Sequence, residues 1–285
     1  VRSDRMSAQP HKNTALVRDA SVVIRSSGER TTDLCYELAC AQVPPENVIV
    51  IKEYPFRRAA ERSYELGIEI AERWTLCLDA DILLRNNAVQ TLRNLALTTD
   101  DNVLYVQGSI FDKLFGRPRK AGPYFHRTSL LPKLLEYMRA EGESLRPDTD
   151  AAMRLAAHGY GRVQQGLIIA LHEFEQYYRD IYRKAFVHAH KHADQLPRLE
   201  PFWERMAPVD PDYRVALLGL RDGRAFQGTV AHDVRRFPRD LGSVLNTEGL
   251  REKEALASLE TARWDVDSLL LYFRRLTSLA DSKRS

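Results

Sequence analysis

The sequence predicts an α/β domain with a largely parallel sheet, followed by a helical C-terminal region. Short runs rich in β-branched residues alternate with segments of helical spacing over the first 111 residues. Strand and helix alternating in this way is typical of sheets whose strands run parallel. The last third of the chain has mainly helical spacing, which predicts an α-helical extension.

The composition is that of an ordinary globular chain. The 285 residues include 42 Lys and Arg against 39 Asp and Glu, which gives a formal net charge of +3, and 44% are hydrophobic. This near balance excludes a disordered chain and argues against nucleic acid as a partner. No apolar run approaches the roughly 20 residues that cross a bilayer. The three cysteines, Cys35, Cys40 and Cys77, form no metal-binding pattern, so we expect reduced cysteines in a cytoplasmic protein.

The elements of the first half follow in order. Each predicted strand is a short apolar run that suits a strand buried on both faces. The predicted strands are 20–24, 47–51, 74–78 and 102–111, and the predicted helices are 32–42, 57–73 and 86–97. In such sheets ligands bind at the carboxyl ends of the strands, where the sequence places RSSGER (25–30) and Asp79-Ala80-Asp81.

The second half is less regular. Segment 113–127 is basic with aromatics, and reads either as a solvated loop or as a lid or acceptor platform. Helices are predicted near 129–141, from Asp148, from 173 onward and from 248 to about 280, with one or two strands in 162–172. We therefore divide the chain into a poorly ordered lead-in (1–19), a catalytic domain (20–175) and a helical region (176–285).

Asp79 and Asp81 are the sharpest local feature. In an extended backbone, residues two apart face the same side, so their carboxylates would form an oxygen site suited to Mg²⁺ or Mn²⁺. A solvated acidic turn after a strand is the alternative, because the tripeptide is common.

The order of several motifs resembles the GT-A glycosyltransferases, and within them the family-2-like group. The matching pieces are SVVIRSSGER (21–30), VIKE (50–53), LDAD (78–81), GPYFHR (122–127), DTDAAMRL (148–155) with GY (159–160), and His172 after a late strand. Arg25 stands where the group usually has Pro, and Glu53 alone remains of a usual acidic pair. The resemblance covers roughly residues 20–175.

The resemblance implies a GT-A fold and metal-dependent, inverting transfer of a sugar from a nucleotide-diphosphate donor such as a UDP- or GDP-sugar. It makes Asp148 the general base, with a helix N-cap as the structural alternative. It implies Mn²⁺ or Mg²⁺ held by Asp79, Asp81 and His172. The residues it assigns to the nucleotide-sugar are Arg25, Ser26, Ser27, Glu29, Glu53, Arg62, Asp79 and Ala80.

Acceptor and partners are defined only by class. The resemblance implies a glycan or lipid-linked acceptor, for example in surface polysaccharide biosynthesis. Peripheral association with the inner face of a membrane and a homo-oligomer through the C-terminal helices are left open. His188, His190 and His192 indicate a solvated basic segment or a contact to phosphate. A sugar-phosphate nucleotidyltransferase and a non-catalytic glycan- or partner-binding module are the alternative functions.

Overall fold

A mixed β-sheet lies at the centre of the protein. The computed structural model describes residues 15–138, 144, 146–230, 241–257 and 264–282, so residues 1–14 of the predicted lead-in lie outside it. Within those ranges the strands are β1 (Ala20–Arg25), β2 (Val48–Ile51), β3 (Trp74–Asp79), β4 (Ile82–Leu84), β5 (Val103–Asp112), β6 (Arg117–Arg119), β7 (Tyr124–Arg127) and β8 (Gly161–His172). Their order is β2-β1-β3-β7-β5-β8-β4, with β6 on β5.

Helices flank the sheet and form the C-terminal region. In the same ranges they are α1 (Thr32–Cys40), α2 (Phe56–Ile70), α3 (Ala88–Ala96), α4 (Leu131–Glu136), α5 (Pro147–Ala156), α6 (Tyr178–Lys191), α7 (Leu196–Met206), α8 (Pro211–Ala225), α9 (Leu241–Thr247) and α10 (Val266–Ser282). The predicted α/β class with a helical C-terminal extension is confirmed. No helix within the described ranges is long and apolar enough to cross a lipid bilayer.

The parallel part of the sheet follows from its continuous apolar runs. Every residue of β1 is buried, and so is every residue of β3 except Asp79. β1 runs parallel to β2 and β3, and β5 runs parallel to β8. The carboxyl ends of these strands therefore lie along one edge of the sheet.

Most of segment 113–127 is built into the fold rather than forming a solvated loop. Its last four residues form β7, which runs antiparallel between β3 and β5 and makes the sheet mixed. A role of the segment as a lid or acceptor platform stays a prediction. Phe125 and His126 are buried, and the Phe125 ring stacks on Trp74 at 5.6 Å between centroids. Lys113 is also buried, with its Nζ 2.7 Å from Asp210 Oδ2 and 2.5 Å from Asp212 Oδ2.

The long C-terminal helix begins later than predicted. Residues 251–257 have no regular secondary structure, residues 258–263 lie outside the described chain, and α10 begins at Val266. The Glu252 carboxylate accepts hydrogen bonds from the backbone N–H of Tyr178 at 2.7 Å and of Arg179 at 3.0 Å. Lys253 Nζ lies 2.6 Å from Asp212 Oδ1. The Glu252 contacts cap the first turn of α6, and the Lys253 contact joins the segment to α8.

The two largest hydrophobic clusters hold the layers together. One packs the sheet against α1, α3 and the buried face of α10 (Val266, Leu270, Phe273). The other is formed mainly by α6, α7 and α8 together with Leu114 and Phe115, and Trp203 and Tyr213 are almost completely buried in it. Helices α6 to α8 thus belong to a second core, while the buried face of α10 packs on the sheet. The boundary at 175/176 stays a prediction.

The buried imidazole of His126 predicts a loss of stability in acid. Neither ring nitrogen has a hydrogen-bond partner among the described residues, and burial followed by the charge of Arg25 lowers the pKa of His126 to about 3. The unfolded chain takes up a proton near the ordinary histidine pKa and the folded chain does not. Stability therefore falls by up to about 1.4 kcal/mol per pH unit between the two pKa values.

Urea unfolding near neutral pH and at about pH 5 checks this prediction. The His126→Phe variant should lose less stability on acidification than the parent chain, by about 2 kcal/mol. His158→Phe, at an exposed histidine, is the control and should leave the acid sensitivity unchanged. Equal acid sensitivity of the parent and the His126 variant would contradict the prediction.

Candidate functional site

A single cavity of about 380 Å³ gathers most of the predicted site residues. It lies where β1, β3, β5 and β8 reach their carboxyl ends, as the sheet rule predicts. Its lining contains Arg25, Ser26, Ser27, Glu29, Glu53, Asp79, Asp81, Asp148 and His172. Two predicted residues are not part of the lining. Ala80 is buried, and Arg62 lies on α2, where it pairs with Glu65 and Glu69.

The loop after β1 is held by its own glutamate. The Glu29 carboxylate accepts hydrogen bonds from the backbone N–H of Ser27 at 2.6 Å and from the Ser26 hydroxyl at 3.1 Å. Gly28, between Ser27 and Glu29 in the chain, has a φ of +94°, in the left-handed region that glycine adopts without strain. The loop therefore presents ordered polar groups to the cavity.

Arg25 is a buried cation between two carboxylates. It lies opposite Asp79 in the β1–β3 register and its Nε donates to Asp79 Oδ1 at 2.8 Å. Its NH1 lies 3.8 Å from Asp148 Oδ2 and has no hydrogen-bond partner among the described residues. Desolvation raises the pKa of Asp79 above its ordinary value, and Arg25 opposes that rise. Arg25 thus offsets part of the cost of burying Asp79 and places a cation beside Asp148 at the cavity floor.

A second charged cluster lies where β4 and β8 meet. His172, at the end of β8, lies opposite Ile82 of β4 and opposite Asp112 of β5. Asp112 and Asp81, the residue before Ile82, therefore both approach its ring. His172 Nδ1 lies 3.1 Å from Asp112 Oδ2, and its Nε2 lies 3.5 Å from Asp81 Oδ2 and 3.4 Å from Glu173 Oε1. Asp112 is itself paired with Arg119 at 2.6 Å.

Lys184 completes this cluster from α6. Its Nζ lies 2.6 Å from Glu173 Oε1 and contacts Asp81 Oδ2. Burial alone would raise the pKa of Asp81, but Lys184 and His172 hold it well below its ordinary range. Burial disfavours a charged His172, yet Glu173, Asp81 and Asp112 raise its pKa to about 10. The cluster is therefore a set of mutually compensating charges.

The donor atoms of this cluster fit a divalent cation. One atom each from Asp81, His172 and Glu173 can be chosen so that all three lie within 4.8 Å of one another. Asp81 Oδ1 and Glu173 Oε2 are buried and have no hydrogen-bond partner among the described residues. Two carboxylate oxygens and one imidazole nitrogen are donors that suit Mn²⁺. Mg²⁺ also binds carboxylate oxygens but favours oxygen over nitrogen ligands.

Asp79 does not belong to this group of donors. The prediction assumed an extended backbone, but Ala80 and Asp81 form a turn between β3 and β4. The turn directs the two carboxylates to different partners, Asp79 to Arg25 and Asp81 to Lys184 and His172. The third donor is Glu173, which was not predicted. It adopts a φ of +65°, a conformation that is uncommon outside glycine.

Asp148 lies in the first turn of α5. Its Oδ1 accepts a hydrogen bond from the backbone N–H of Thr149 at 2.7 Å, and its other oxygen faces Arg25. Pro147 precedes it at the first helical position, which suits proline because the N–H there needs no helical partner. Asp148 thus combines a helix-start position with a place in the cavity lining.

The three histidines at the end of α6 and directly after it have different surroundings. His188 and His192 line the cavity, with their rings 4.9 Å apart and both against Phe115. His190 is exposed, with its Nε2 2.9 Å from the carbonyl oxygen of Gly223. Burial lowers the pKa of His192 to about 4 and that of His188 well below its ordinary value. The segment is therefore not simply a solvated basic one.

Lys184, Glu173 and Asp112 were not predicted as site residues, and Arg119 was considered only as part of the basic segment 113–127. Glu173 had a usable signal, since it directly follows His172. Lys184 had none, because it is 103 residues from Asp81 along the chain. Asp112 is the last residue of β5. That position predicts a contact with His172 only once the pairing of β5 with β8 is known.

Comparison with known proteins gives similarity to solved structures only. No protein-family model matches the sequence, and no curated protein matches it at a significant level. A mannosyltransferase from Pyrobaculum calidifontis, in complex with GDP-Man and Mn²⁺, is 13% identical over 94% of this chain and 87% of that chain, with a TM-score of 0.42.

Two further structures show the same range of similarity. One is a glycosyltransferase involved in the glycosylation of the major capsid of PBCV-1, 10% identical over 54% of this chain and 94% of that chain, with a TM-score of 0.40. The other is glucosyl-3-phosphoglycerate synthase from Mycobacterium tuberculosis, in complex with Mn²⁺, UDP and phosphoglyceric acid. It is 15% identical over 55% of this chain and 71% of that chain, with a TM-score of 0.37. Activity has to be argued from this chain's own residues.

Proposed function

We propose that the protein is a glycosyltransferase that uses a nucleotide-diphosphate sugar and a divalent cation, Mn²⁺ or Mg²⁺. One observation carries the proposal. A single cavity joins a metal-type donor set (Asp81, His172, Glu173), a carboxylate able to act as a base (Asp148) and an ordered polar loop after β1. Each part is common alone, and their convergence at the carboxyl ends of the strands is what the transfer reaction requires.

The donor's nucleoside part is assigned to the side of the cavity formed by β1 and β2. The ordered loop with Ser26, Ser27 and Glu29 offers hydroxyl and carboxylate groups there, and Glu53 follows β2. Asp79 and Arg25 lie between this side and the Asp81 cluster. The lining also carries several cationic side chains, Arg119, Lys120, Arg162 and Arg183 among them, which favour a donor with a negatively charged diphosphate.

The transfer itself needs a base and a stabilised leaving group. Asp148 accepts the proton of the acceptor hydroxyl as that oxygen attacks the anomeric carbon, and the bond to the diphosphate breaks on the opposite face. One direct displacement of this kind inverts the anomeric configuration. A divalent ion bound by Asp81, His172 and Glu173 would supply charge stabilisation to the diphosphate. The proposed acceptor remains a glycan or a lipid-linked sugar.

Release of free nucleoside diphosphate from a panel of UDP- and GDP-sugars tests the proposal. With Mn²⁺ we expect release from at least one donor, and we expect Asp81→Ala to reduce it by about 100-fold or more, since a charged ligand of the cation is lost. Asp33→Asn, at an exposed aspartate of α1 outside the cavity lining, is the matched control and should retain the parent rate.

Two further measurements distinguish the alternative functions. Formation of pyrophosphate from a nucleoside triphosphate and a sugar 1-phosphate would indicate a nucleotidyltransferase instead. A chain that binds glycans but shows no metal-dependent binding of UDP or GDP in calorimetry would be a non-catalytic module. Either result would overturn the transferase proposal.

A further inference from the structure

Lys184 already occupies the place where a divalent cation would bind. Its ammonium contacts Asp81 Oδ2 and lies 2.6 Å from Glu173 Oε1. These two carboxylates supply two of the three donors that fit a metal. The third donor residue is His172, whose Nε2 lies 3.5 Å from Asp81 Oδ2 and 3.4 Å from Glu173 Oε1. The position between Asp81 and Glu173 is therefore already neutralised by the chain's own cation.

An ammonium and a divalent cation cannot share these oxygens. Both are cations, and at close range in a partly buried site their mutual repulsion is large. Asp81 is 4% exposed and Glu173 is 2% exposed, so solvent screens the two carboxylates poorly. A metal ion that uses Asp81 Oδ2 and Glu173 Oε1 thus requires Lys184 to leave them, and one that uses the unpartnered Asp81 Oδ1 and Glu173 Oε2 would still lie close to its ammonium.

The fold gives the displaced ammonium another carboxylate. Asp180 lies one helical turn before Lys184 on α6, and residues four apart lie on the same face of a helix. Asp180 is buried. Its Oδ1 lies 3.4 Å from Arg183 NH2, while its Oδ2 has no hydrogen-bond partner among the described residues and lies 4.0 Å from Arg179 Nε. Lys184 also lines the open cavity, so its long side chain can swing without movement of the helix.

We propose that Lys184 is an internal counter-cation that competes with the divalent metal for Asp81 and Glu173, and that metal binding displaces it. The inference rests on the metal site of the proposed function, but not on sugar transfer. Lys184 then keeps the buried carboxylates compensated in the metal-free protein and weakens binding of free metal ions. It is a positioning residue for the metal site rather than a ligand.

Titration of the protein with Mn²⁺ alone, followed by calorimetry, tests the competition. The Lys184→Met variant keeps the apolar stem and removes the charge, and it should bind Mn²⁺ about tenfold more tightly or better, because a charged hydrogen bond no longer has to be broken. Arg224→Met, which removes a positive charge that pairs with Glu200 on an exposed surface, should match the parent chain. Equal or weaker Mn²⁺ affinity of the Lys184 variant, or binding by neither protein, would overturn the proposal.

A measurement on the unmutated chain covers the case in which the variant does not fold. Amine labelling of Lys184, quantified by mass spectrometry against the exposed Lys133, should rise several-fold in saturating Mn²⁺ because the ammonium leaves its two short ion pairs with Asp81 and Glu173. Unchanged or reduced labelling would contradict displacement. Neither experiment contains a sugar nucleotide, so failure of the transferase proposal would leave both results interpretable.

Discussion

Asp148→Asn is expected to lower the rate of sugar transfer by about 10²–10⁴-fold while donor binding changes little. The amide keeps the size of the side chain and its acceptor oxygen for the Thr149 N–H, but it cannot take up the proton of the acceptor hydroxyl. The loss should therefore fall on kcat, with the KM for the donor close to that of the parent. Steady-state kinetics with varied donor, together with calorimetry of donor binding, measures both quantities.

Asp150→Asn is the control for this substitution. Asp150 lies in the same first turn of α5, and its Oδ2 accepts from the Ser144 hydroxyl, but it does not line the cavity. It tests whether a lost helix-start charge alone explains the effect. If Asp148→Asn retains transfer, or if both variants lose it equally, Asp148 is not the base.

Arg25→Met is expected to destabilise the folded chain by about 3 kcal/mol. Removing one partner of a buried ion pair leaves the other charge uncompensated, and breaking such pairs typically costs about 3–5 kcal/mol. We take the lower end because the Asp79 side chain is 36% exposed, while Asp148 is 11% exposed. Arg58→Met, at an exposed pair on α2, is the control and should cost less than about 1 kcal/mol.

The loss caused by Arg25→Met should depend on pH with a definite sign. The folded pKa of Asp79 is already raised, and removal of Arg25 raises it further because the opposing charge is gone. A carboxyl with a raised folded pKa binds its proton more tightly in the folded state, so folding is relatively favoured in acid. Urea unfolding should show the largest gap between variant and parent near neutral pH and a smaller gap at about pH 4. A gap that widens on acidification would contradict this account.

The sequence predicted the fold best where burial alone decides it. β1 and β3 are apolar runs covered on both faces, so pattern and structure coincide within a residue or two. The pattern failed at β7, whose sequence YFHR carries two polar residues. His126 and Arg127 are nevertheless buried, because Arg127 packs over Trp74 and pairs with Asp101, and His126 lies among tyrosines. Such tertiary partners are not visible in a local pattern.

The candidate site was predictable in location but not in its pairings. The motifs identified Asp81, Asp148 and His172, which the fold does bring to one cavity. The cations beside the two aspartates were not predicted as their partners: Arg25, near Asp148, was read as a nucleotide contact, and Lys184, which contacts Asp81, was not singled out. Asp79 was placed with the metal donors because alternation along a strand was extended through a turn. Charge partners from distant elements require the register of the sheet and the packing of α6.

The capping of α6 by Glu252 has a consequence for how this chain can be divided or recombined. Helix α6 supplies Arg183, Lys184, His188 and Lys191 to the cavity lining, and its first turn is capped by Glu252 of segment 251–257. A fragment ending at residue 175 would keep the aspartates and lose these groups that face them. Exchange of the C-terminal region with that of a similar chain would likewise replace them. The sheet and the C-terminal helices therefore have to be kept together if the cavity lining is to be preserved.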